Sequence, residues 1–241
     1  MCRRTATEMP SPSPIRHRPM AGRGPPLPTE LRASAMARSY LVLRLEPSGE
    51  SFLKLHLLEP EAGLLLCLKR VARKSRAGGS PNPDLFDTAE LTLEASKQGN
   101  VHFVADYHPT VRRSAIGGHY RRLVRASAFC QLLVLNATHL PDLPALCELA
   151  NRALDAFCQR DTPDVVYLKS VYLLLKAEGY PVRESWWAQL PGALRSAAKR
   201  LIEAPSPETL SPAEQADCEA AIERLHSWIR RETEVNLPPD A

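Results

Sequence analysis

The sequence lacks the features that would place the chain across a membrane or in a disulfide-rich class. No run of about 18 uncharged apolar residues occurs, and the longest apolar candidate, residues 126–135, is short and adjoins Arg125. Only 6 cysteines occur in 241 residues, none in a Cys-x-x-Cys pair, which is too few for a disulfide scaffold. The cysteine usage favours a reduced, cytoplasmic protein, and the lack of a long apolar run predicts that no segment spans a membrane.

Common catalytic signatures are also missing. The chain has no Walker-type phosphate loop, Gly-x-Gly-x-x-Gly, Gly-x-Ser-x-Gly or His-Glu-x-x-His. Asp84, Asp87 and Glu90 come nearest to a magnesium cluster, but ordinary loop charge is the preferred interpretation. We therefore expect a protein that is not an enzyme, with no catalytic residues, metal or cofactor. An enzyme acting on phosphorylated small molecules is the weakest alternative.

What the chain does have is clustered positive charge. The net charge is only +4, but the segment from Lys69 to Arg76 holds five cations in eight residues. No acidic residue occurs from Tyr107 to Pro141. That stretch contains five arginines: Arg112, Arg113, Arg121, Arg122 and Arg125. Cations without counter-charges favour a polyanionic partner; a solvated loop and helix surface is the alternative for each cluster alone.

Composition divides the chain into three regions. Residues 1–38 hold seven of the 22 prolines and cannot bury enough apolar surface to offset their ordering entropy, which predicts a disordered extension. Residues 39–108 read as strands and residues 109–241 as helices. Five short strands in about 70 residues fit a small barrel or sandwich. The fold class is therefore α+β.

Alternation along the strands predicts which side chains face the core. The expected strands cover residues 40–46, 52–58, 64–70, 85–96 and 101–107, with a hairpin at Gly99-Asn100. The residues expected to point inward are Leu41, Leu43, Leu45, Leu53, Leu55, Leu57, Leu64, Leu66, Leu68, Val101, Phe103 and Ala105. Arg44, Lys54, His56 and Lys69 would then point outward with Tyr40 and Phe52. Such a surface could neutralise phosphates and stack bases, although every half-buried sheet has a polar exterior.

Capping signals define the helices. Asp142 and Pro144 predict one helix start, and Thr162-Pro163 begins a helix that ends at Gly179. Ser211 and Glu214 form a capping box at the start of the last helix.

The strand region carries a family resemblance. Several short segments occur in a characteristic order along the chain. They are Leu41-Val42-Leu43-Arg44, Gly49-Glu50-Ser51, residues 57–64, the basic Arg73-Lys74-Ser75-Arg76 with Gly78-Gly79, Asp84-Leu85-Phe86, and later Glu178-Gly179-Tyr180-Pro181. Together they resemble the RecO family of DNA repair proteins over roughly residues 39–190. The resemblance implies an N-terminal five-stranded OB-fold barrel, residues 39–108, and a C-terminal all-helical domain, residues 109–241.

The resemblance also implies a function. Members of the RecO family mediate recombination in the RecF pathway, bind single- and double-stranded DNA, anneal complementary strands, and act with RecR and the single-stranded-DNA-binding protein to load the recombinase. They act in the cytoplasm, at the nucleoid. Many have a four-cysteine zinc site after the helix that ends in Gly-Tyr. Residues 181–217 of this chain contain no cysteine, so we expect Trp186 and Trp187 to pack there instead. Val71 also replaces the glycine usual in the basic loop.

The leading hypothesis is a DNA-binding repair protein. The residues expected to follow the DNA backbone are Arg44, Lys54, Lys69, Arg70, Arg73, Lys74, Arg76, Arg112, Arg113, Arg121, Arg122 and Arg125. The alternative is an interaction scaffold that has lost DNA binding. In that case Lys169 and Lys176, seven residues apart on one exposed helix face, would bind the acidic tail of a partner.

Overall fold

The strands close into a barrel that is followed by helices, which confirms the α+β class. A computed structural model describes residues 38–71, 81–95 and 101–239. The strands are β1 (Arg38–Ser48), β2 (Phe52–Glu59), β3 (Gly63–Arg70), β4 (Thr88–Ala95) and β5 (His102–Val111). Their order around the barrel is β1-β2-β3-β5-β4. Neighbours are antiparallel except for β3 and β5, which pair in parallel at Cys67–His102 and Leu68–Phe103. The barrel is therefore OB-like.

The helical region follows β5 directly. Its helices are α1 (Ser114–Gly117), α2 (Tyr120–Asn136), α3 (Leu143–Gln159), α4 (Pro163–Ala177), α5 (Trp187–Gln189), α6 (Gly192–Glu203) and α7 (Pro212–Glu232). A 3₁₀ turn covers Ala137–His139, and a π-helical turn covers Val182–Trp186. In the described part of the chain, no helix is long and apolar enough to cross a bilayer. Residues 1–37 of the predicted disordered extension lie outside the described residues. The predicted hairpin turn at Gly99-Asn100 also lies outside them.

A bulge in β1 divides its leucines between two cores. The register with β2 shifts between Val42 and Arg44, so the side chains on either side of the shift lose strict alternation. Leu41 and Leu43 pack with the helices, whereas Val42 and Leu45 belong to the barrel interior. The prediction that Leu41, Leu43 and Leu45 share one face is therefore wrong.

The phase predicted for β3 is also wrong. Leu55 and Leu57 of β2 are buried in the barrel and stand opposite Cys67 and Leu65 of β3. Because opposite residues of an antiparallel pair lie on one face, Leu66 faces outward, where 44% of its surface is exposed. Leu64 and Leu68 are its neighbours at alternate positions; Leu64 packs against the helical core. The continuous apolar run 64–68 carries no alternation that could have fixed the phase.

Four further predictions of side-chain direction are corrected by the structure, including that of Ala105, which is exposed on β5. Lys69 lies opposite Leu53 and is buried, with its ammonium 5.7 Å from the centre of the Tyr107 ring. Tyr40 is buried in the barrel. On β5, Val104 is buried in the barrel interior, so its neighbour Phe103 faces outward.

The helix starts predicted from capping signals are confirmed. The Asp142 carboxylate accepts a hydrogen bond from the Ala145 amide at the start of α3. Ser211 and Glu214 form a reciprocal capping box at the start of α7. Helix α4 ends before Gly179, whose φ of +80° is the left-handed conformation that favours glycine.

The barrel and the helical region share one apolar core. Leu41, Leu43 and Leu58 of the barrel are buried in the same cluster as the helix residues. The turn between β2 and β3 also meets the helices, because an added Cβ at Gly63 would lie 3.2 Å from a methyl carbon of Leu143. The barrel exterior is therefore covered by helices on one side and exposed on another.

Trp186 and Trp187 are both buried, which confirms the packing expected for them. The Trp187 ring stacks on Tyr172, with centroids 5.7 Å apart and planes 14° from parallel. Burying two indoles fills the region after α4 with apolar surface. With no cysteine in residues 181–217, this region does not fit a four-cysteine zinc site.

Candidate nucleic-acid interface

The exposed side of the barrel carries a mixed aromatic and basic surface. Cross-strand pairing places its members on the outer side of β1, β2, β3 and β5. We call this surface the barrel face; it consists of Arg44, Glu46, Phe52, Lys54, His56, Leu66, Leu68, Arg70 and Phe103. The outward directions predicted for Arg44, Lys54, His56 and Phe52 are consistent with this register.

Two phenylalanines lie together on the barrel face. The Phe52 and Phe103 rings are 6.1 Å apart between centroids, at an angle of 57°. Neither ring belongs to the barrel core or to the helical core. Leu66 and Leu68 continue the apolar surface along β3. Partly exposed aromatic rings of this kind offer a stacking platform to unpaired bases.

A single carboxylate organises the cations of the barrel face. Arg44 Nε lies 2.7 Å from Glu46 Oε1, and Lys54 Nζ contacts Glu46 Oε2. Hydrogen bonding by Lys54 holds the pKa of the Glu46 carboxyl below its usual value. The nearby His56 Nε2 lies 3.7 Å from the same carboxylate, and burial lowers the pKa of His56. Glu46 keeps two of the predicted DNA-binding cations side by side.

Arg70 extends the barrel face toward the basic loop. It is exposed at the end of β3, opposite Phe52. The predicted contacts Arg73, Lys74 and Arg76 lie outside the described residues. Lys69, also predicted to bind DNA, is buried inside the barrel, and burial lowers the pKa of its ammonium group. Lys69 is therefore removed from the candidate interface.

The arginines of the acid-free stretch all meet carboxylates from elsewhere in the chain. Their ion pairs are Arg112–Asp87 at 3.3 Å, Arg113–Asp155 at 2.7 Å, Arg121–Asp164 at 3.2 Å, Arg121–Glu219 at 2.7 Å, Arg125–Asp164 at 2.7 Å, and Arg122–Asp161. The partners lie immediately before β4, on α3, α4 and α7, or in the turn before α4. The expectation that this stretch lacks counter-charges is therefore wrong in three dimensions.

Arg113 illustrates a structural role. Its side chain is 3% exposed, and its guanidinium donates to the Phe86 carbonyl at 2.7 Å, the Thr88 hydroxyl at 2.9 Å and the Asn151 amide oxygen at 3.1 Å. These contacts connect the start of β4 to α3. A phosphate could reach this guanidinium only if the surrounding structure opened, so Arg113 is removed from the interface.

Arg122 is also enclosed, because its guanidinium donates to Asp161 and to the Cys158 carbonyl, and it too is removed. Arg112, Arg121 and Arg125 are more exposed, so their part in binding stays a prediction. In the described residues, these five arginines are paired with carboxylates, so they and the barrel face do not form one continuous surface of unpaired cations.

A buried carboxylate holds three helices together near these arginines. Asp164, in the first turn of α4, is almost fully buried. It accepts hydrogen bonds from Arg125 of α2 at 2.7 Å and from Gln215 of α7 at 3.1 Å, and it pairs with Arg121. Burying a carboxylate without such partners would be strongly unfavourable. We call this group the Asp164 network.

The predicted partner site on α4 is divided. Lys169 is half-buried and donates to the Ala204 carbonyl at the end of α6. Lys176 is exposed. Leu173 lies between them in sequence and is 41% exposed. One cation and one leucine of the proposed surface are therefore accessible, while the second cation already serves a helix end.

Asp87, one of the residues nearest to a magnesium cluster in the sequence, has other partners in the structure. Asp87 is buried; it accepts a hydrogen bond from the Tyr107 hydroxyl at 2.6 Å and pairs with Arg112. Within the described ranges, no three His, Cys, Asp or Glu side chains are grouped so that they could hold a metal ion. The open cleft of about 560 Å³ between α2 and α7 is lined by both signs of charge, including Arg125 and Glu219.

Sequence reasoning missed the two members that give the barrel face its character. Alternation in the sequence predicts that Phe103 points inward, and it assigns no role to Glu46. The signal that could have identified Glu46 is its alternation with Arg44 on one strand, since residues i and i+2 share a face.

No known family model matches the chain, and no curated protein matches it in sequence.

Proposed function

We propose that the protein is a DNA-binding repair and recombination mediator of the RecO type, and that it binds single-stranded DNA on the barrel face. The observation that carries this proposal is the Phe52–Phe103 pair, partly exposed on the same face of an OB-like barrel as Arg44, Lys54 and Arg70. Aromatic rings stack on unpaired bases, and neighbouring cations neutralise phosphates without reading sequence.

The arrangement supports a shorter DNA path than the sequence suggested. Phosphate contacts would come from the barrel face and the adjoining Arg73, Lys74 and Arg76. The arginines of the helical region would mainly hold that region together. Neutralised phosphates repel each other less, which is the physical basis for annealing two strands. Duplex binding, annealing, recombinase loading with RecR and the single-stranded-DNA-binding protein, action at the nucleoid, and the absence of catalysis belong to this proposal.

The test is a titration of a fluorescent oligothymidylate with the full chain at several salt concentrations. Binding should weaken as salt rises, because cations released from the DNA drive association. Arg70→Glu should weaken binding and make the dependence of log affinity on log salt shallower by about 0.7, the value for one phosphate contact on a single strand.

The matched control is Arg152→Glu, which reverses the charge of an arginine on α3 that is 72% exposed. It should bind like the wild type. Equal loss of affinity in both variants would show that overall charge, and not the barrel face, determines binding. No binding by the folded wild type at low salt would reject the proposal.

The exposure of Leu173 beside Lys176 favours one second candidate, an interaction scaffold. An acidic peptide with an apolar end would place a carboxylate at Lys176 and a side chain against Leu173. Pull-down with the tail of the single-stranded-DNA-binding protein in the absence of DNA tests this role. Capture by wild type but not by a Leu173→Asp variant would support it, and equal capture by both would contradict it.

A further inference from the structure

Two cations of the barrel face, Arg44 and Lys54, contact one carboxylate, that of Glu46. Glu46 presents one oxygen to Arg44 and the other to Lys54, and β1–β2 pairing places Glu46 directly opposite Lys54. The side chain of Glu46 is 24% exposed. It occupies the position between the two cations where an oxygen of a bound phosphate would make the same contacts.

Carboxylate and phosphate compete for the same donors. Both present paired oxygens that match the planar donor groups of arginine, and lysine serves either as a point charge. A phosphate arriving at Arg44 and Lys54 must therefore displace Glu46 or share the cations with it. Since the pKa of the Glu46 carboxyl is lowered, chiefly by the hydrogen bond from Lys54, the competitor stays ionised at neutral pH.

We propose that Glu46 is an internal competitor for the DNA backbone, which limits the affinity of the barrel face for single strands. This inference rests on the function proposed above. Arg44, Lys54 and Glu46 together carry one net positive charge; with Glu46 neutral, they would carry two. The same carboxylate holds both cations in place when no DNA is bound. Glu46 therefore lowers the affinity for DNA but keeps the Arg44 and Lys54 side chains ordered.

The test compares Glu46→Gln with the wild type in the oligothymidylate titration. Glutamine keeps the side-chain length but not the charge. Release of one further cation for phosphate contact should strengthen binding about fivefold near 0.1 M salt and steepen the salt dependence by about 0.7. The matched control is Glu90→Gln, which removes the same charge from an exposed position on β4, a strand that pairs with β1 and β5 and not with β2 or β3.

A double-variant background separates competition from a general charge effect. With Arg44→Gln and Lys54→Gln already present, Glu46→Gln should give no gain, because the cations that it would release are absent. A persisting gain there would overturn the inference, as would Glu46→Gln binding no better than Glu90→Gln.

Binding by the wild type without a gain in Glu46→Gln rejects the competitor alone. No binding by wild type, Glu46→Gln or Glu90→Gln, all shown to be folded by circular dichroism, rejects the proposed function itself, and the competitor falls with it.

Discussion

The barrel face and the Asp164 network place the same residue types in different surroundings. On the barrel face, two cations share one partly exposed carboxylate beside two phenylalanines. In the Asp164 network, a nearly fully buried carboxylate is held by donors from α2 and α7. Both regions contain basic residues in the sequence, so the presence of cations does not by itself tell an accessible site from a buried network. The exposure of the carboxylate partner distinguishes them.

The largest expected effect is on the Asp164 network. Asp164→Ala should lower the free energy of unfolding by about 3 kcal/mol, because it removes the acceptor of a buried charge network. Urea unfolding measures the change. Glu148→Gln, which alters an exposed pair within α3, should change stability by about 0.5 kcal/mol or less. A loss in Asp164→Ala no greater than in this control would contradict the structural role of the network.

A smaller effect is expected at the aromatic pair of the barrel face. Phe52→Ala should weaken single-strand binding at least about fivefold, since stacking on one base contributes about 1–3 kcal/mol. Fluorescence anisotropy with oligothymidylate measures this. Val111→Ala removes an apolar side chain of β5 that is 41% exposed and should leave affinity unchanged. Equal losses in the two variants would assign the effect to barrel stability and not to stacking.

Lys69→Met tests the boundary between the inside and the outside of the barrel. Because Lys69 is buried and burial lowers the pKa of its ammonium group, methionine, an apolar side chain of similar length, changes a residue that a phosphate on the barrel face would not reach. DNA affinity should stay at the wild-type value, whereas Lys54→Met should lower it. A loss of affinity in Lys69→Met would return this residue to the interface.

The smallest effect concerns pH. Burial lowers the pKa of His56 from its ordinary value of 6.5, so the unfolded chain takes up the proton first. The contribution of neutral His56 to stability is therefore complete above about pH 6.5 and declines as pH falls toward the lowered pKa. Urea midpoints at pH 7.5 and pH 5.5 should differ less in His56→Gln than in the wild type. An equal difference would place the titrating group elsewhere.

The sequence predicted those features that depend on local signals. The starts of α3 and α7 follow from Asp142 and Ser211, whose side chains cap amides three residues ahead. Five short strands predicted a small barrel or a sandwich, and the structure closes them into a barrel. The phase of β3 could not be predicted, because it is set by pairing with Leu55 and Leu57 of the neighbouring strand.

The partners of the arginines could not be predicted either. Arg125 meets Asp164 across 39 residues, and Arg121 meets Glu219 across 98. Local charge counts average over a short window, so such distant carboxylates are invisible to them. The acid-free stretch is therefore basic in sequence, but its arginines are largely neutralised by carboxylates that are distant in sequence. This is why the sequence alone predicted a polyanion site there.

The anchoring of Arg113 has a consequence for how the two layers move. Its guanidinium joins residues at the start of β4 to Asn151 and Asp155 of α3, beside the shared core formed by Leu41 and Leu58. A hinge between barrel and helices would break these bonds and expose that core at the same time. We therefore expect strands and helices to move as one rigid unit, so a ligand of the barrel face would bind and dissociate without a hinge motion between the two layers.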